Sequence, residues 1–188
     1  NKVKKAEIIN NEWVISLQDG KKIKSKVLIN ASGPWINDTL NKNIKIKSKN
    51  KIRLVKGSHI ITKKLYKEDV AFTFQNTDKR IIFVIPYKKH FSLIGTTEVE
   101  VKSPENNGIS NQEIQYLIKS VNNYLKKQIS KKDIVDTYSG IRPLIEDFKE
   151  ASKVTRDYVF DLHIVKKLPL LNIYGGKLTT YRKLSEKV

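Results

Sequence analysis

The feature that most constrains this chain is a glycine turn close to its end, Gly175-Gly176-Lys177-Leu178-Thr179-Thr180. Adjacent glycines allow a sharp turn and a close approach of the backbone to a bound group, because they have no Cβ. An apolar run at residues 170–174 precedes the turn, and the threonines after it favour a helix start. A helix N-terminus at such a turn attracts an anion or an electron-rich ring. The pattern therefore predicts a strand, a ligand-binding turn and a helix.

A second turn of this kind is predicted near the start of the chain. The run Val27-Leu28-Ile29-Asn30-Ala31-Ser32-Gly33-Pro34-Trp35 passes from an apolar strand through small residues into a helix at about residues 35–40. Turns at the carboxyl ends of parallel strands are where α/β proteins bind cofactors. Before it, hairpin turns at Asn10-Asn11 and Asp19-Gly20 separate three strands. These strands are predicted at residues 4–10, 12–17 and 22–29.

The middle of the chain has a different pattern. Short alternating segments between residues 52 and 97 predict an antiparallel sheet with tight turns. Ser110 and Glu113 have the spacing of a capping box, and apolar residues follow at helical intervals, so a helix is predicted over 111–127. Its apolar face is expected to cover the sheet. Further strands are predicted at residues 134–138, 155–164 and 170–174.

This order of elements predicts a mixed α+β / α/β fold in which a nucleotide-binding domain is split by an antiparallel-sheet substrate domain with a covering helix. The first part of the split domain is expected at residues 1–51, the substrate domain at 52–143, and the return to the split domain at 144–188. The second part ends in the glycine turn and its helix.

Composition excludes several classes of protein. The chain has no cysteine, and its three histidines lie far apart, so neither disulfides nor a metal site is predicted. The net charge of +18 is spread along the chain, which favours a solvated basic surface over nucleic-acid binding and leaves an anionic membrane surface as a plausible partner. No apolar run reaches the length of a membrane-spanning helix. The absence of cysteine fits a cytoplasmic location.

Seven motifs in this order resemble the FAD-dependent (aerobic, respiratory) glycerol-3-phosphate dehydrogenases of the D-amino-acid-oxidase-like flavoprotein superfamily, over essentially all 188 residues. The motifs are Ala31-Ser32-Gly33-Pro34-Trp35, Lys56-Gly57-Ser58-His59-Ile60, Asp78-Lys79-Arg80-Ile81-Ile82-Phe83-Val84-Ile85-Pro86, Ile94-Gly95-Thr96-Thr97-Glu98, Tyr138-Ser139-Gly140-Ile141-Arg142-Pro143-Leu144, Thr155-Arg156-Asp157-Tyr158 and residues 175–182.

The resemblance implies a reaction and partners. Members of the family oxidise glycerol 3-phosphate to dihydroxyacetone phosphate, transfer the hydride to FAD and pass electrons to a membrane quinone. The resemblance therefore implies a cytoplasmic enzyme attached peripherally to the membrane. The family also has an N-terminal Gly-x-Gly-x-x-Gly segment and a C-terminal helical domain, and neither occurs in these 188 residues. We therefore interpret the chain as the middle of such an enzyme. As an isolated chain it is expected to be inactive and to need the missing segment in cis or in trans.

The resemblance also implies roles for individual residues. His59, Arg142 and Lys177 match catalytic positions, and the same three residues with Arg156 match the substrate-binding set. Guanidinium and ammonium groups suit a phosphate dianion, while an imidazole can orient or deprotonate the C2 hydroxyl. The residues that match the cofactor-binding set are Gly33, Pro34, Trp35, Gly140, Gly176, Leu178 and Thr179.

Two alternatives remain open from the sequence. An amine or amino-acid oxidase of the same superfamily would need an arginine for the substrate carboxylate but no cluster of phosphate-binding cations, and Arg142, Arg156 and Lys177 together favour phosphate. A folded, non-catalytic remnant that acts as a basic binding module is the other alternative. It predicts binding that weakens steeply with salt.

Overall fold

The part of the chain that the structure describes contains twelve β-strands joined by turns and loops, and three α-helices. A computed structural model describes residues 1–105, 108–145 and 158–188. In these ranges the strands are β1 (Val3–Ile9), β2 (Glu12–Leu17), β3 (Lys22–Ser25), β4 (Leu28–Asn30), β5 (Ile52–Lys63), β6 (Phe72–Gln75), β7 (Ile81–Tyr87), β8 (Phe91–Gly95), β9 (Val99–Val101), β10 (Ile134–Ile145), β11 (Tyr158–Val165) and β12 (Leu168–Gly175). The helices are α1 (Ile36–Asp38), α2 (Asn111–Asn122) and α3 (Tyr181–Lys187). This mixture of helices and largely antiparallel sheets confirms the predicted fold class.

The chain divides into two compact units. Unit 1 comprises Asn1–Leu54 and Arg142–Val188, and unit 2 comprises Val55–Ile141. Both boundaries fall inside long strands, β5 and β10, and not in loops. The domain limits predicted from the sequence, and the cofactor and substrate roles assigned to those domains, stay a prediction.

Unit 1 begins with the antiparallel meander β1-β2-β3. The turn between β1 and β2 has both Asn10 and Asn11 at positive φ, as a two-residue hairpin requires. The next turn has Gly20 at φ +87°. Trp13 of β2 is 1% exposed, and its indole N–H donates to the carbonyl of Pro169 at 3.1 Å. This bond joins the meander to the second sheet of the unit.

The second sheet of unit 1 has the order β11-β12-β4. The central strand, β12, pairs antiparallel with β11 and parallel with β4. The core beside it contains Ile36, Leu40, Leu170 and Tyr174, all nearly inaccessible to water. The predicted helix at residues 35–40 is therefore present, but as three short pieces: a 3-10 turn at Gly33–Trp35, then α1, then a π-helical turn at Thr39–Ile44.

One predicted strand is wrong in its extent. Residues 22–29 were expected to form a single strand, but the chain forms β3 and β4, which belong to different sheets. The break lies at Ser25, whose hydroxyl donates to the carbonyl of Val27 at 2.6 Å and accepts from the N–H of Val27 at 3.2 Å. A serine that binds the backbone two residues ahead makes a turn, which competes with strand pairing.

Unit 2 is built on a six-stranded sheet of order β10-β5-β8-β7-β6, with β9 also paired to β5. Helix α2 packs on one face, where Leu117 and Val121 meet Ile60, Ile82 and Ile94, all fully buried. The predicted capping box is confirmed, because Ser110 and Glu113 exchange hydrogen bonds at 3.2 and 2.8 Å. The antiparallel sheet with its covering helix is therefore present as predicted.

Helix α2 ends five residues earlier than predicted. The predicted range was 111–127, whereas the helix stops at Asn122. The side-chain amide of Asn122 donates to the carbonyl of Ile129 and accepts from the N–H of Ile129, both at 2.9 Å. These two bonds fold the following segment back, so that Ile129 joins the core in place of another helical turn.

Candidate functional site

His59 of unit 2 lies on the sheet face opposite helix α2. Its neighbours Ser58 and Ile60 are fully buried on the α2 side. Because side chains alternate along a strand, the imidazole of His59 points to the other face. That face is partly open, since the His59 side chain retains intermediate exposure.

The imidazole of His59 lies between a glycine and an aromatic ring. The ring of Tyr138 stacks on it with centroids 4.7 Å apart and planes inclined by 3°. On the neighbouring strand His59 pairs with Gly95, and a Cβ placed on Gly95 would overlap the His59 ring. Any side chain larger than hydrogen at position 95 would therefore displace the imidazole. The ring plane of His59 is fixed from both sides.

The same face continues on either side of this stack. Gly140 follows Tyr138 by two residues on β10, so both face the same way, and a Cβ on Gly140 would meet nothing within 4 Å. In the other direction Phe83 pairs with Gly95 across β7 and β8 and is 42% exposed. A bare backbone position, an imidazole and two aromatic rings thus form one open surface.

Behind this surface, on the α2 side, unit 2 buries an ion pair. The ammonium of Lys56 lies 2.9 Å from a carboxylate oxygen of Glu113, and the two residues are 6% and 5% exposed. Burial by itself raises the pKa of Glu113, but hydrogen bonds from Lys56, the Ser110 N–H, Ser58 and Thr97 outweigh it and lower that pKa to about 2. Glu113 is therefore a carboxylate at neutral pH.

In unit 1 the two predicted cofactor turns leave the same edge of one sheet. Strand β4 runs parallel to β12 with Asn30 opposite Asn172, so their carboxyl ends point the same way. The amide of buried Asn30 donates to the Asn172 side chain at 3.0 Å and to the carbonyl of Ile36 at 3.2 Å. The turn at Gly33–Trp35, with Gly33 at φ +56°, follows β4 and contacts β12.

The glycine turn follows β12 at this edge. Gly175 and Gly176 have φ of +72° and +92°, values that a residue with a Cβ adopts at a cost. The segment from Leu178 to Thr180 is a 3-10 turn that leads into α3, and Leu178 is 88% exposed. The first N–H groups of a helical segment have no acceptor within it, so those of Leu178 and Thr179 are suited to an outside acceptor. Lys177 is an exposed residue at the start of this turn.

The structure therefore places the predicted residues in two groups, one in each unit. Unit 2 holds His59 and Gly140, whereas unit 1 holds Gly33, Pro34, Trp35, Gly176, Lys177, Leu178 and Thr179. Arg142 lies on β10, two residues beyond Gly140, and is assigned to unit 1. Arg156 lies outside the described residues. Among those that are described, no cluster of acidic residues or histidines with metal-binding geometry occurs, and no helix has the length and apolar character needed to span a membrane.

Sequence reasoning did not find the residues around His59. The sequence motifs contain Tyr138 and Gly95 without indicating that they enclose His59, and the capping-box spacing identifies Glu113 only as a helix cap. One signal is available: Lys56 lies between Val55 and Gly57 in a segment predicted to form part of the antiparallel sheet. A lysine at a buried position needs an acidic partner. That signal predicts a buried carboxylate without saying which one.

The chain is similar in sequence to known flavoproteins. A family model described as FAD dependent oxidoreductase (DAO) matches residues 1–182. The chain is 45% identical over 185 residues to an aerobic glycerol-3-phosphate dehydrogenase from Escherichia coli K12, covering 94% of this chain and 37% of that protein. It is 40% identical over 185 residues to a D-erythritol 1-phosphate dehydrogenase from Brucella abortus, with 95% and 37% covered. The chain thus spans little more than a third of the length of these relatives.

A solved structure extends the similarity to the fold. The crystal structure of the glycerol-3-phosphate dehydrogenase from Bacillus halodurans in complex with FAD matches with a TM-score of 0.76 at 26% identity. The match covers 99% of this chain and 36% of that one. Sequence and fold agree along nearly the whole chain, which therefore belongs to the family of FAD-dependent oxidoreductases.

Proposed function

We propose that this chain is the central part of a flavin-dependent dehydrogenase that oxidises sn-glycerol 3-phosphate to dihydroxyacetone phosphate. The observation that supports it most is the 45% identity to the aerobic glycerol-3-phosphate dehydrogenase of Escherichia coli along 94% of the chain. The complete protein is the proposed catalyst. The 188 residues supply one part of it.

The residues at the two turns of unit 1 fit the edge of a flavin. Gly33 and Gly176 adopt positive φ, which brings the backbone close to a ligand without a side chain between them. We assign the N–H groups of Gly176, Leu178 and Thr179 to the flavin carbonyls, and Pro34 and Trp35 to its edge. Gly140 in unit 2, with open space at its Cβ position, leaves room for a ring to approach. Bound FAD would supply the hydride acceptor for the reaction.

His59 is the proposed group for the substrate hydroxyl. When the C2 hydrogen of glycerol 3-phosphate leaves as hydride, the C2 hydroxyl must lose its proton, and an imidazole can orient that hydroxyl or take the proton. Stacking against Tyr138 and contact with Gly95 hold the ring in one plane. A fixed ring keeps its nitrogen in the geometry that proton transfer needs.

The phosphate of the substrate is assigned to cations. Arg142, Arg156 and Lys177 are the proposed ligands, because guanidinium and ammonium groups neutralise a dianion and donate several hydrogen bonds to it. Arg142 is partly buried on β10 and Lys177 is exposed at the glycine turn. Lys177 is also the proposed source of positive charge near the reacting atoms.

D-Erythritol 1-phosphate is the second candidate substrate. The relative named as its dehydrogenase is 40% identical over 185 residues, close to the value for the glycerol-3-phosphate enzyme. Both substrates are phosphorylated polyols that offer a secondary alcohol for oxidation. The cations proposed for phosphate would serve either one, so the choice depends on room for the longer carbon chain.

A chimeric enzyme tests these assignments. The matching segment of the Escherichia coli enzyme is replaced by this chain, and dye reduction is measured with glycerol 3-phosphate, D-erythritol 1-phosphate, glycine and sarcosine. We expect a flavin absorbance spectrum and turnover of glycerol 3-phosphate, and a loss of about 100-fold or more in kcat for His59→Asn. His90→Gln, in the exposed turn after β7, is the matched control. Oxidation of the amino acids alone would overturn the proposal, and preference for the erythritol ester would select the second candidate.

Quinone and an anionic membrane surface are the proposed partners of the complete protein at the cytoplasmic face of the membrane. The net charge of +18 supports the membrane contact, since lysines close to a membrane surface are attracted to anionic lipids. Co-sedimentation with anionic vesicles, and not with neutral ones, is the expected result. Equal binding to both kinds of vesicle would contradict an electrostatic contact.

A further inference from the structure

Glu113 accepts four hydrogen bonds through its two carboxylate oxygens, all within unit 2. One oxygen accepts from the hydroxyls of Ser58 at 2.7 Å and Thr97 at 2.8 Å. The other accepts from the ammonium of Lys56 at 2.9 Å and from the N–H of Ser110 at 2.8 Å. A carboxylate has no proton to give, so it fixes the direction of every bond around it.

The bonds continue from Glu113 into the two strands that meet at His59. Because the Ser58 hydroxyl donates to Glu113, its oxygen is left to accept, and it accepts from the hydroxyl of Ser139 at 2.8 Å. Ser58 precedes His59 on β5, and Ser139 follows Tyr138 on β10. One chain of hydrogen bonds therefore ties together the immediate neighbours of the two stacked rings.

The strand that carries Gly95 is also linked to the Glu113 carboxylate by hydrogen bonds. Thr97 follows Gly95 by two residues, and its N–H and side-chain oxygen exchange hydrogen bonds with the backbone of Ser58 at 3.2 and 3.0 Å. The hydroxyl of Thr97 donates a hydrogen bond to the carboxylate of Glu113. The segment that contains Gly95 and Thr97 is thus bonded to Glu113. The same carboxylate is bonded to Ser58 and, through it, to Ser139.

We propose that Glu113 is a positioning residue for His59: its buried carboxylate, paired with Lys56, sets the alignment that keeps the imidazole between Gly95 and Tyr138. The proposal rests on the function given above, in which His59 acts on the substrate hydroxyl. Glu113 itself lies on the α2 side of the sheet and does not touch that surface. Its effect passes through Ser58, Thr97 and Ser139.

Stability alone does not account for a buried ion pair here. Two charges lose their hydration when buried, and an apolar pair of similar size often gives equal or greater stability. An apolar pair would offer no acceptor to Ser58 and Thr97, however. The specific property of the Lys56–Glu113 pair is therefore the fixed polarity that it imposes on the hydroxyls beside His59.

Glu113→Gln is the informative substitution. A glutamine at this third helical position has almost the same shape and can still form the capping box when its oxygen faces the Ser110 N–H. Its amide, however, has one acceptor oxygen and one donor nitrogen. The glutamine NH2 group, a donor, must then face one of two pairs of groups. One pair is the hydroxyls of Ser58 and Thr97, and the other is the Lys56 ammonium and the Ser110 N–H. We expect the hydroxyl chain to rearrange and the two stacked rings to shift relative to each other.

The 188-residue chain allows a direct measurement by NMR of the histidine ring protons. Only His59, His90 and His163 contribute signals. A stacked aromatic ring shields nuclei above its face, so the ring protons of His59 should resonate upfield, and Tyr138→Leu should remove that shift. We expect Glu113→Gln to reproduce a large part of the change seen in Tyr138→Leu. Ser110→Ala is the matched control, since it weakens the cap of α2 without touching the sheet hydroxyls.

A double variant separates positioning from stability. Lys56→Met with Glu113→Leu removes both charges and should unfold at a urea midpoint close to that of the unmodified chain. We expect its His59 signal to be displaced from that of the unmodified chain, as in Glu113→Gln, because no acceptor remains for Ser58 and Thr97. A native His59 signal in this variant, or in folded Glu113→Gln, would overturn the proposal. A displaced His59 signal in folded Ser110→Ala would overturn it as well, since loss of the cap alone would then explain the effect.

Turnover in the chimera distinguishes this inference from the proposed function. We expect Glu113→Gln to lower kcat by roughly tenfold or more with little change in KM, because the imidazole loses its alignment while the phosphate ligands stay in place. If the chimera is active but the His59 signal of Glu113→Gln is native, only the positioning role is contradicted. An inactive chimera with the expected NMR changes would contradict the proposed function alone.

Discussion

At the scale of single residues, the buried carboxylate of Glu113 binds the hydroxyls of Ser58 and Thr97 on the sheet face opposite His59. Resemblance to a family selected His59 from three histidines, and the structure places it on an open sheet face against Tyr138. The hydroxyl groups around Glu113 were beyond sequence reasoning. Ser58 and Thr97, which donate to Glu113, and Ser139, which donates to Ser58, are far apart in the chain and meet only through strand pairing. Hydroxyl residues are common in strands, so composition did not mark them.

Acid should destabilise the chain through Glu113. Its pKa is about 2 in the folded chain against an ordinary value of 4.5, so between these values the unfolded chain binds more protons. The stabilisation is complete above pH 4.5 and is lost as the pH falls toward 2, with a total on the order of 3 kcal/mol. Urea unfolding of the unmodified chain and of Glu113→Gln from pH 7 to pH 2.5 measures it. If the difference in the free energy of unfolding between the two chains stays constant with pH, this assignment is refuted.

At the scale of elements, two hairpins of the same geometry differ in how far the sequence predicts them. The Asn10-Asn11 turn was predicted because asparagine adopts positive φ readily. The turn between β11 and β12 uses Lys166 and Lys167, at φ of +46° and +72°, and was not predicted. Lysine has no preference for that conformation. Pairing of the flanking strands, with Val165 opposite Leu168, imposes it.

Replacing Lys166-Lys167 by Asn-Gly should therefore stabilise the hairpin. Positive φ costs a residue with a Cβ roughly 1–2 kcal/mol, and glycine avoids most of that cost. We expect a gain of about 1 kcal/mol, or a rise in Tm of about 2–4 °C for a chain of this size. Thermal unfolding followed by circular dichroism measures it. Lys166→Gln with Lys167→Gln removes the same charges and keeps both Cβ atoms, so an equal gain in that control would assign the effect to charge repulsion.

At the scale of the whole molecule, the order of elements was predictable but the pairing was not. Both cofactor-type turns were read from their glycines, yet the parallel pairing of Asn30 with Asn172 joins residues 142 positions apart. The limits of the two compact units lie inside continuous strands, where no loop signal exists, and the domain limits expected from the sequence stay a prediction. Long-range pairing depends on complementary faces, which a single sequence does not display.

The isolated 188-residue chain should bind FAD only weakly. The turns at Gly33 and Gly176 are the proposed source of backbone donors to a flavin ring, but the 188 residues contain no Gly-x-Gly-x-x-Gly turn for the pyrophosphate. About four missing hydrogen bonds of roughly 1 kcal/mol each would weaken FAD binding by about a thousandfold. We expect titration of the isolated chain with FAD, followed by flavin fluorescence, to show no saturation at micromolar concentrations. The chimera should bind tightly in the same assay, and a stoichiometric complex with the isolated chain would show that these 188 residues alone suffice for tight FAD binding.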